Sequence, residues 1–415
     1  MRLKEGIVLK KFSACFVALL VLLWSVAASA QQTIRIGVNM ELTGYSGEHG
    51  AEQYRGIVAA HHLQPSIEVN GVTYPIELVV CDNQTLREAS AQCAVELAQQ
   101  GVAGVLGGYS SSMSLAAALI LQNEGVPMIS TGATNPIVTQ VGHFIFRIPF
   151  TDDYQGQAAA SYAYEVLGAR KVVAFRQADD DYSVGLARIF AEQFERLSGS
   201  VLVQSIDQAD GDFTAQLNAA RSFEPDLLFT SAFCPFAGPL VQQSRAAGFD
   251  QPWLGGDALD APNCVELAGA AFEGVLFTGF PNLMQLEPDA LERAGVIEAA
   301  YMELYPNSTG FGGSTLAGSD AYGVLLQAIE QVLAAGYSLH DITWFRLAVR
   351  DVLASTTDYP GVTGTITFAG TDGTPASRTI GLLQVEDVAP DGTYTRSSQG
   401  YFVIEPGGTV FIPAE

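Results

Sequence analysis

Residues 102–136 read "VAGVLGGYSSSMSLAAALILQNEGVPMISTGATNP", and their order decides the fold. The apolar run "VAGVLGG" stops at a cluster of hydroxyls. "SLAAALILQNEG" then carries a helical apolar period, and "VPMIS" is a second short apolar run that stops at "TGATNP". Strand, loop, helix, strand, loop is the repeating unit of a parallel sheet, whose neighbouring strands need a crossover between them. The same rhythm extends outward in both directions. Before it come the strand "TIRIGV", the helix "GEHGAEQYRGIVAAHHL", the strand "YPIELVV" and the helix "LREASAQCAVELAQQ". A second series follows: "RKVVAF", "YSVGLARIFAEQFERL", "SVLVQSI", "FTAQLNAARSF", "PDLLFT", "AGPLVQQSRAAG" and "QPWLGG". Short apolar strands joined through helices predict an α/β fold with parallel sheets covered on both faces. The two series look like two related halves.

Two segments interrupt the rhythm. "NPIVTQVGHFIFRIPFTDD", near residues 135–153, reads as a connecting loop, and "GVLFTGFPNLMQLEP", at 274–288, is a second break. Two long helical patterns follow, at 289–304 and about 318–335. After Gly361 the chain turns to hairpin-like strands, and "TGTITFAGTDGTPASRTIGLLQV" contains an Asp-Gly turn signal. Breaks near 150, 280 and 362 predict two lobes, 33–150 plus 281–362 and 151–280 plus 363–415, crossed three times by the chain.

The first thirty residues have the order of a secretory signal: basic Arg2, Lys4, Lys10 and Lys11, an apolar run from Phe12 to about Val26, and Ala28-Ser29-Ala30. Cleavage is expected before Gln31. The apolar run is short for a spanning helix, and Cys15 precedes most of it, unlike a lipoprotein cysteine. About 385 residues remain, too many for one core. The full chain carries 44 acidic and 20 basic residues; without the signal, 43 face 16, for a charge of −27, and Lys171 is the only lysine left. Such a field repels nucleic acid and anionic membranes and keeps the surface solvated. Four cysteines remain, an even number that favours disulfides in an exported chain. Cys81 ends a strand and Cys93 lies on the next helix, so a local staple between them is easy. Cys234 and Cys264 each follow a later strand, so the same kind of pairing is open to them, but the sequence does not decide whether they pair. No C-x-x-C spacing supports a thiolate metal site.

In open α/β sheets ligands sit beyond the carboxyl ends of the strands, so residues just after each strand are the informative ones. After "VAGVLGG" come Tyr109, Ser110, Ser111 and Ser112, ahead of a helix expected to begin near Met113. Capping that helix needs one serine, and the others are left over. After "VPMIS", Gly132 permits close backbone approach and Thr134 adds a hydroxyl. Adjacent strands would place these two loops side by side, forming a pocket of hydroxyls and N–H groups with no lysine or arginine. That suits a carboxylate better than a phosphate, and no G-x-x-x-x-G-K pattern occurs. The second series offers different chemistry in matching places: Tyr182 in "DDDYSVG", Phe233 in "FTSAFCP" and Asp257 in "LGGDALD". A buried carboxylate needs a cation, so Asp257 is expected to take an ammonium between aromatic walls from Tyr182 and Phe233. One side for a carboxylate and one for an amine would clasp an α-amino acid.

Catalysis finds little support. "GYSSS" lacks the second glycine of the G-x-S-x-G elbow. The histidines are His49, His61, His62, His143 and His340, of which His49, in "GYSGEHG", is placed to approach the pocket. H-E-x-x-H and calcium-loop patterns are absent. No cofactor and no metal are expected.

With these residues in place, the whole mature chain resembles the leucine/isoleucine/valine-binding branch of periplasmic binding proteins, the receptors of branched-chain amino acid ABC transporters. The resemblance rests on "IRIGVNMELTG", "ELVVCDNQ", "EASAQCAVELAQQGVAGVLGG", "GYSSSMSLAAA", "GVPMISTGATNPIVT", "FIFRIPFTDD", "DDDYSVGLA", "GDFTAQLNAARSFEPDLLF" and "SRAAGFDQPWLGG". "ISTGATNP" and the cysteine pair Cys81/Cys93 are especially typical. It implies a type I periplasmic fold, two doubly wound Rossmann-like lobes joined by three hinge crossovers with ligand between them. By resemblance, Ser111, the backbone of the Gly132–Ala133 turn and Thr134 hold the ligand carboxylate, with Tyr109 and Ser110 in the same loop. Tyr182 and Asp257 take the ammonium, and aromatic rings commonly stand at positions 233 and 49. This chain departs in having aspartate rather than glutamate at 257, phenylalanine at 233 and histidine at 49. The implied function is a monomeric, extracytoplasmic solute receptor that delivers an amino acid or related carboxylate to a membrane permease. The alternative is an exported sensor of an amide, urea or aromatic acid that regulates a partner protein, and a secreted hydrolase is a distant third.

Overall fold

The computed structural model describes residues 32–207, 211–308, 310–390, 393–405 and 408–414. The expected signal segment lies outside the described residues.

The chain builds two sheets. In the first, β1 (Ile34–Met40), β2 (Ser66–Val69), β3 (Val72–Asp82), β4 (Gly104–Leu106), β5 (Met128–Ser130) and β6 (Ile145–Arg147) lie in the order β2-β3-β1-β4-β5-β6. All neighbours are parallel except β2 and β3, which form a hairpin. In the second, β7 (Lys171–Gln177), β8 (Ser200–Ile206), β9 (Leu227–Thr230), β10 (Trp253–Gly255) and β11 (Leu276–Gly279) form a parallel set. An antiparallel extension, β12 (Thr379–Glu386), β13 (Thr395–Glu405) and β14 (Gly408–Pro413), completes the order β14-β13-β12-β11-β10-β9-β7-β8. The parallel parts repeat one topology, β3-β1-β4-β5-β6 and β8-β7-β9-β10-β11. Each has its switch point between the first strand and the third, where an open sheet leaves a crevice at the strand ends. Strands β4, β5 and β6 are only three residues long and buried at every position, as strands covered on both faces must be.

The helices that position the site are α1 (Gly47–Leu63), α2 (Arg87–Gln99), α3 (Ser111–Asn123) and α4 (Ile137–Gln140). They are followed by α5 (Asp152–Ser161), α6 (Asp181–Arg196), α7 (Thr214–Phe223), α8 (Cys234–Ala246) and α9 (Pro262–Ala268). The chain passes between the sheets three times. After β6 it enters α5, which packs on α6 of the second sheet. After β11 it enters α10 (Pro288–Leu304) and α11 (Gly313–Ala334), both of which pack on α1 of the first sheet. After α12 (Ile342–Ala354), which packs on α11, it returns to the second sheet as β12.

Three expectations need correction. The stretch 135–153, read as a loop, holds α4 and the edge strand β6, which pairs with β5 from Met128↔Ile145 to Ser130↔Arg147. The Asp372-Gly373 pair is not a hairpin tip: the Gly373 carbonyl takes the Arg147 backbone N–H at 3.0 Å, tying the third passage to β6. The tail hairpins form beyond it, from Thr379 onward. Helix α3 begins at Ser111 rather than near Met113, because Ser110 already caps it.

Both cysteine pairs are disulfides. Cys81–Cys93 ties β3 to α2 across a Cα separation of 5.7 Å, and Cys234–Cys264 ties α8 to α9 across 4.6 Å. Among the described residues, no helix is long and apolar enough to cross a membrane.

Candidate functional site

The three serines after β4 do three different jobs. Ser110 is the N-cap: its Oγ accepts the Met113 N–H and donates to Glu41 Oε1 at 3.0 Å. Ser112 belongs to the contact with the second sheet, donating to Asp180 Oδ2 at 2.8 Å while its Oγ accepts the Asp181 N–H at 2.8 Å. Ser111 Oγ accepts the Asn135 N–H at 3.1 Å, which locks the loop after β4 to the loop after β5. Its oxygen being an acceptor there, the Ser111 proton is free to point into the cavity that the residue lines.

Behind this loop stands Glu41, at the end of β1 and fully buried. Its carboxylate accepts the Tyr109 N–H at 2.9 Å and the Ser110 N–H at 3.0 Å. Burial raises its pKa, and these bonds oppose the rise. Gly132 is required by the close approach of the two loops, since a Cβ there would lie 2.5 Å from the Tyr109 ring. Arg147, at the end of β6, is wholly buried and spends its guanidinium on backbone, donating to Ala133 O and Asn135 O at 2.9 Å each and to Pro136 O at 3.2 Å. Burial lowers its pKa to about 10, against the nearby Asp152 carboxylate that raises it. Its charge therefore fixes the turn and does not reach the cavity. Ala133 is also committed: its N–H donates to Ser130 Oγ at 3.1 Å, and it does not line the cavity. Thr134 does line it, and its buried hydroxyl lies beside the Asp152 carboxyl.

Across the cavity, Tyr182 lies in the first turn of α6, Phe233 caps α8, and Asp257 follows Gly256 in a short 3₁₀ turn, Asp257–Leu259. The Tyr182 hydroxyl accepts the Ala258 N–H at 3.2 Å, fixing that turn, and a Cβ on Gly256 would meet the same hydroxyl at 2.3 Å. Asp257 is 3 % exposed. Its Oδ1 accepts from Gln155 Nε2 at 2.9 Å, and among the described residues it makes no ion pair. Burial pushes it up to about 6, with the Gln155 and Tyr182 hydrogen bonds opposing. Asp152 is a second buried carboxylate nearby; burial first, then Asp257, raise its pKa, and the Thr134 hydroxyl and the Arg147 charge oppose the rise.

The cavity is lined by Ser111, Gly132 and Thr134 on one side and Tyr182, Phe233 and Asp257 on the other, with Tyr109, Ser110 and Ala258 closing it. It holds about 10 Å³ of free space, room for one water. His49 stands just outside, its ring stacked on Tyr109 with centroids 4.7 Å apart and its Nε2 3.0 Å from the Ala258 carbonyl. So nine of the ten sequence-selected residues meet at one place with His49 as a wall or lining, while Ala133 buttresses from behind. Glu41, Arg147, Asp152 and Gln155 escaped the sequence reading; a lone arginine in the apolar run "FIFRIPF" was the one available signal. Among the described residues, no group of three or more His, Cys, Asp or Glu side chains could hold a metal.

A family model described as "Periplasmic binding protein" matches residues 33–392. An "Amino acid binding protein" of Pseudomonas aeruginosa is 31 % identical over 281 residues, covering 65 % of this chain and 74 % of that one. The crystal structure of a leucine binding protein from Thermotoga maritima is 32 % identical, with a TM-score of 0.78, covering 90 % of this chain and 99 % of that one. A branched-chain amino acid transporter substrate-binding protein from Streptococcus pneumoniae, solved in complex with isoleucine, has the same fold at 24 % identity and a TM-score of 0.76, covering 92 % of this chain and 100 % of that one.

Proposed function

We propose, for a chain that belongs to the periplasmic binding protein family, that it is a non-catalytic solute receptor closing on an α-amino acid and handing it to an ABC transporter permease. It works outside the cytoplasm and as a monomer. The observation that carries this reading is the opposition across one cavity of two unlike surfaces. Ser111 and Thr134 offer hydroxyl donors with no fixed cation, and Asp257 offers a buried carboxylate with no cationic partner. An ionised carboxylate held out of water is costly until a cation meets it. An α-ammonium supplies that cation, and the α-carboxylate attached to it takes the hydroxyls.

The two sheets with their helices act as lobes, and the three passages between them are the hinges. Free space for one water means that the lobes separate to admit the solute. Contacts already spanning the cleft, such as Tyr45 Oη to Asp180 Oδ2 at 3.1 Å and Ser112 to Asp180, would then re-form around it. A hydrolytic role finds no support in the geometry, since Ser111 Oγ faces a backbone N–H and no base. The test is thermal unfolding with L-leucine, L-alanine and 4-methylpentanoate, which is leucine without its amine. A bound amino acid at about 100-fold its Kd adds roughly 2.7 kcal/mol. A shift with amino acids and a far smaller one with 4-methylpentanoate is expected; shifts with the des-amino acid alone would overturn the reading.

A further inference from the structure

Beside the small cavity lies a chamber of about 550 Å³, open to solvent between the two sheets. His49 belongs to both: it lines the chamber, and its ring packs on Tyr109 and, edge-on, on Phe233, which line the small cavity. It is the partition between them. A carbonyl can only accept, so His49 Nε2 must donate to Ala258 O, and Nδ1 is left with its lone pair. That nitrogen is buried and has no hydrogen-bond partner. Burial keeps the ring neutral by lowering its pKa to about 4. The partition therefore keeps its unused acceptor inside and brings no positive charge to the chamber wall.

The chamber walls carry four carboxylates, Glu48, Glu52, Asp260 and Glu266, against one guanidinium, Arg396. Arg396 is committed to Asp260, and Glu52 takes Arg55 and the Tyr301 hydroxyl. Glu48, on α1, and Glu266, on α9, are exposed, their side chains make no ion pair or hydrogen bond among the described residues, and they come from opposite sides of the cleft. Phe311 and Tyr394 add aromatic faces. A branched aliphatic side chain entering here would strip water from these two exposed carboxylates and put nothing polar in its place. A positively charged, donor-rich group answers them, with aromatic faces as further support.

We propose that the chamber is a second compartment of the ligand site, reached past His49, and that it takes the cationic end of an extended side chain, making diamino acids the preferred solutes. This rests on the α-amino-acid reading above and narrows its substrate class. The measurement is calorimetric titration of the full mature protein with L-lysine and with L-norleucine, which is lysine without its ε-amine. Lysine should bind at least tenfold tighter, and the ratio should fall with added salt as exposed carboxylates are screened. The double variant Glu48→Gln, Glu266→Gln should bring lysine most of the way down to norleucine. Norleucine binding as tightly as lysine overturns the proposal and leaves the amino-acid reading standing, and so does a ratio that survives the double variant. Binding of no α-amino acid at all overturns both.

Discussion

The two faces of the cavity come from the same topology and are built in opposite ways. On the first sheet, the charges behind the two loops are turned away from the cavity: Glu41 holds the Tyr109 and Ser110 N–H groups from behind, and Arg147 donates to three carbonyls and the Thr139 hydroxyl. What reaches the cavity is neutral, the hydroxyls of Ser111 and Thr134. On the second sheet the charge itself is brought to the wall. Asp257 is held by one amide and a neighbouring tyrosine, with no cation to balance it. The lesson is that one face is finished without a ligand and the other is not. Its deficit is electrostatic, and on the proposed reading an ammonium repairs it.

The largest effect that separates the faces is in the pH dependence of the ligand-free protein. Asp257 has a folded-state pKa raised to about 6 from 3.8. A raised pKa means that its contribution to stability is complete below about pH 4 and is lost as pH rises through 6, by up to about 3 kcal/mol. Asp257→Asn removes this group, so the stability of the variant relative to wild type should climb by up to that amount between pH 4 and 7 in urea unfolding. Glu41 titrates in both proteins and cancels in the difference, whereas Asp152, whose pKa Asp257 helps to raise, titrates lower in the variant and shifts the difference in the same direction. A flat difference would mean that the second face carries no such deficit.

Next in size is the loss of a single donor on the first face. Ser111→Ala should weaken an α-amino acid and its des-amino analogue alike, roughly 10- to 100-fold, because a hydrogen bond to a charged group contributes about 1.5–3 kcal/mol. Ser110→Ala should act on the other quantity. It removes the helix cap and one of the donors to Glu41, costing about 1 kcal/mol of stability with little change in affinity. If the two variants exchanged these phenotypes, the division of labour among the serines would be wrong.

Much of this contrast is legible in the sequence because it depends on residues that follow strands. The βα rhythm, the loops after β4 and β5, Asp257 after Gly255-Gly256 and the Cys81–Cys93 pair all follow from local pattern, while the Cys234–Cys264 pair is decided by the structure. What escaped is of two kinds. Short elements lacked a long enough pattern: β6 has three residues inside a stretch with Pro136 and Pro149, and α12 falls between a helix and a tail that drew the reading elsewhere. The β2–β3 hairpin was signalled by Asn70-Gly71, whose backbone φ angles of 52° and 76° suit the tight turn those residues favour. The supports of the site are the second kind. Glu41 and Gln155 act on loops far from them in sequence, and even for Arg147, closer to its loop, only the folded chain says where a buried polar side chain spends its hydrogen bonds. The chamber beyond His49 belongs here too, since it is assembled from α1, α9 and the segments around 282, 311 and 394.

The central claim, that the second face exists to receive an ammonium, is tested most directly by a four-way affinity comparison. An α-amino acid and its des-amino analogue are titrated into wild type and Asp257→Asn. The clamp predicts that the substitution weakens the amino acid by about 30-fold or more, in the range for truncating one partner of a buried charge pair, and leaves the des-amino acid within a few-fold. Equal losses for the two ligands would contradict it.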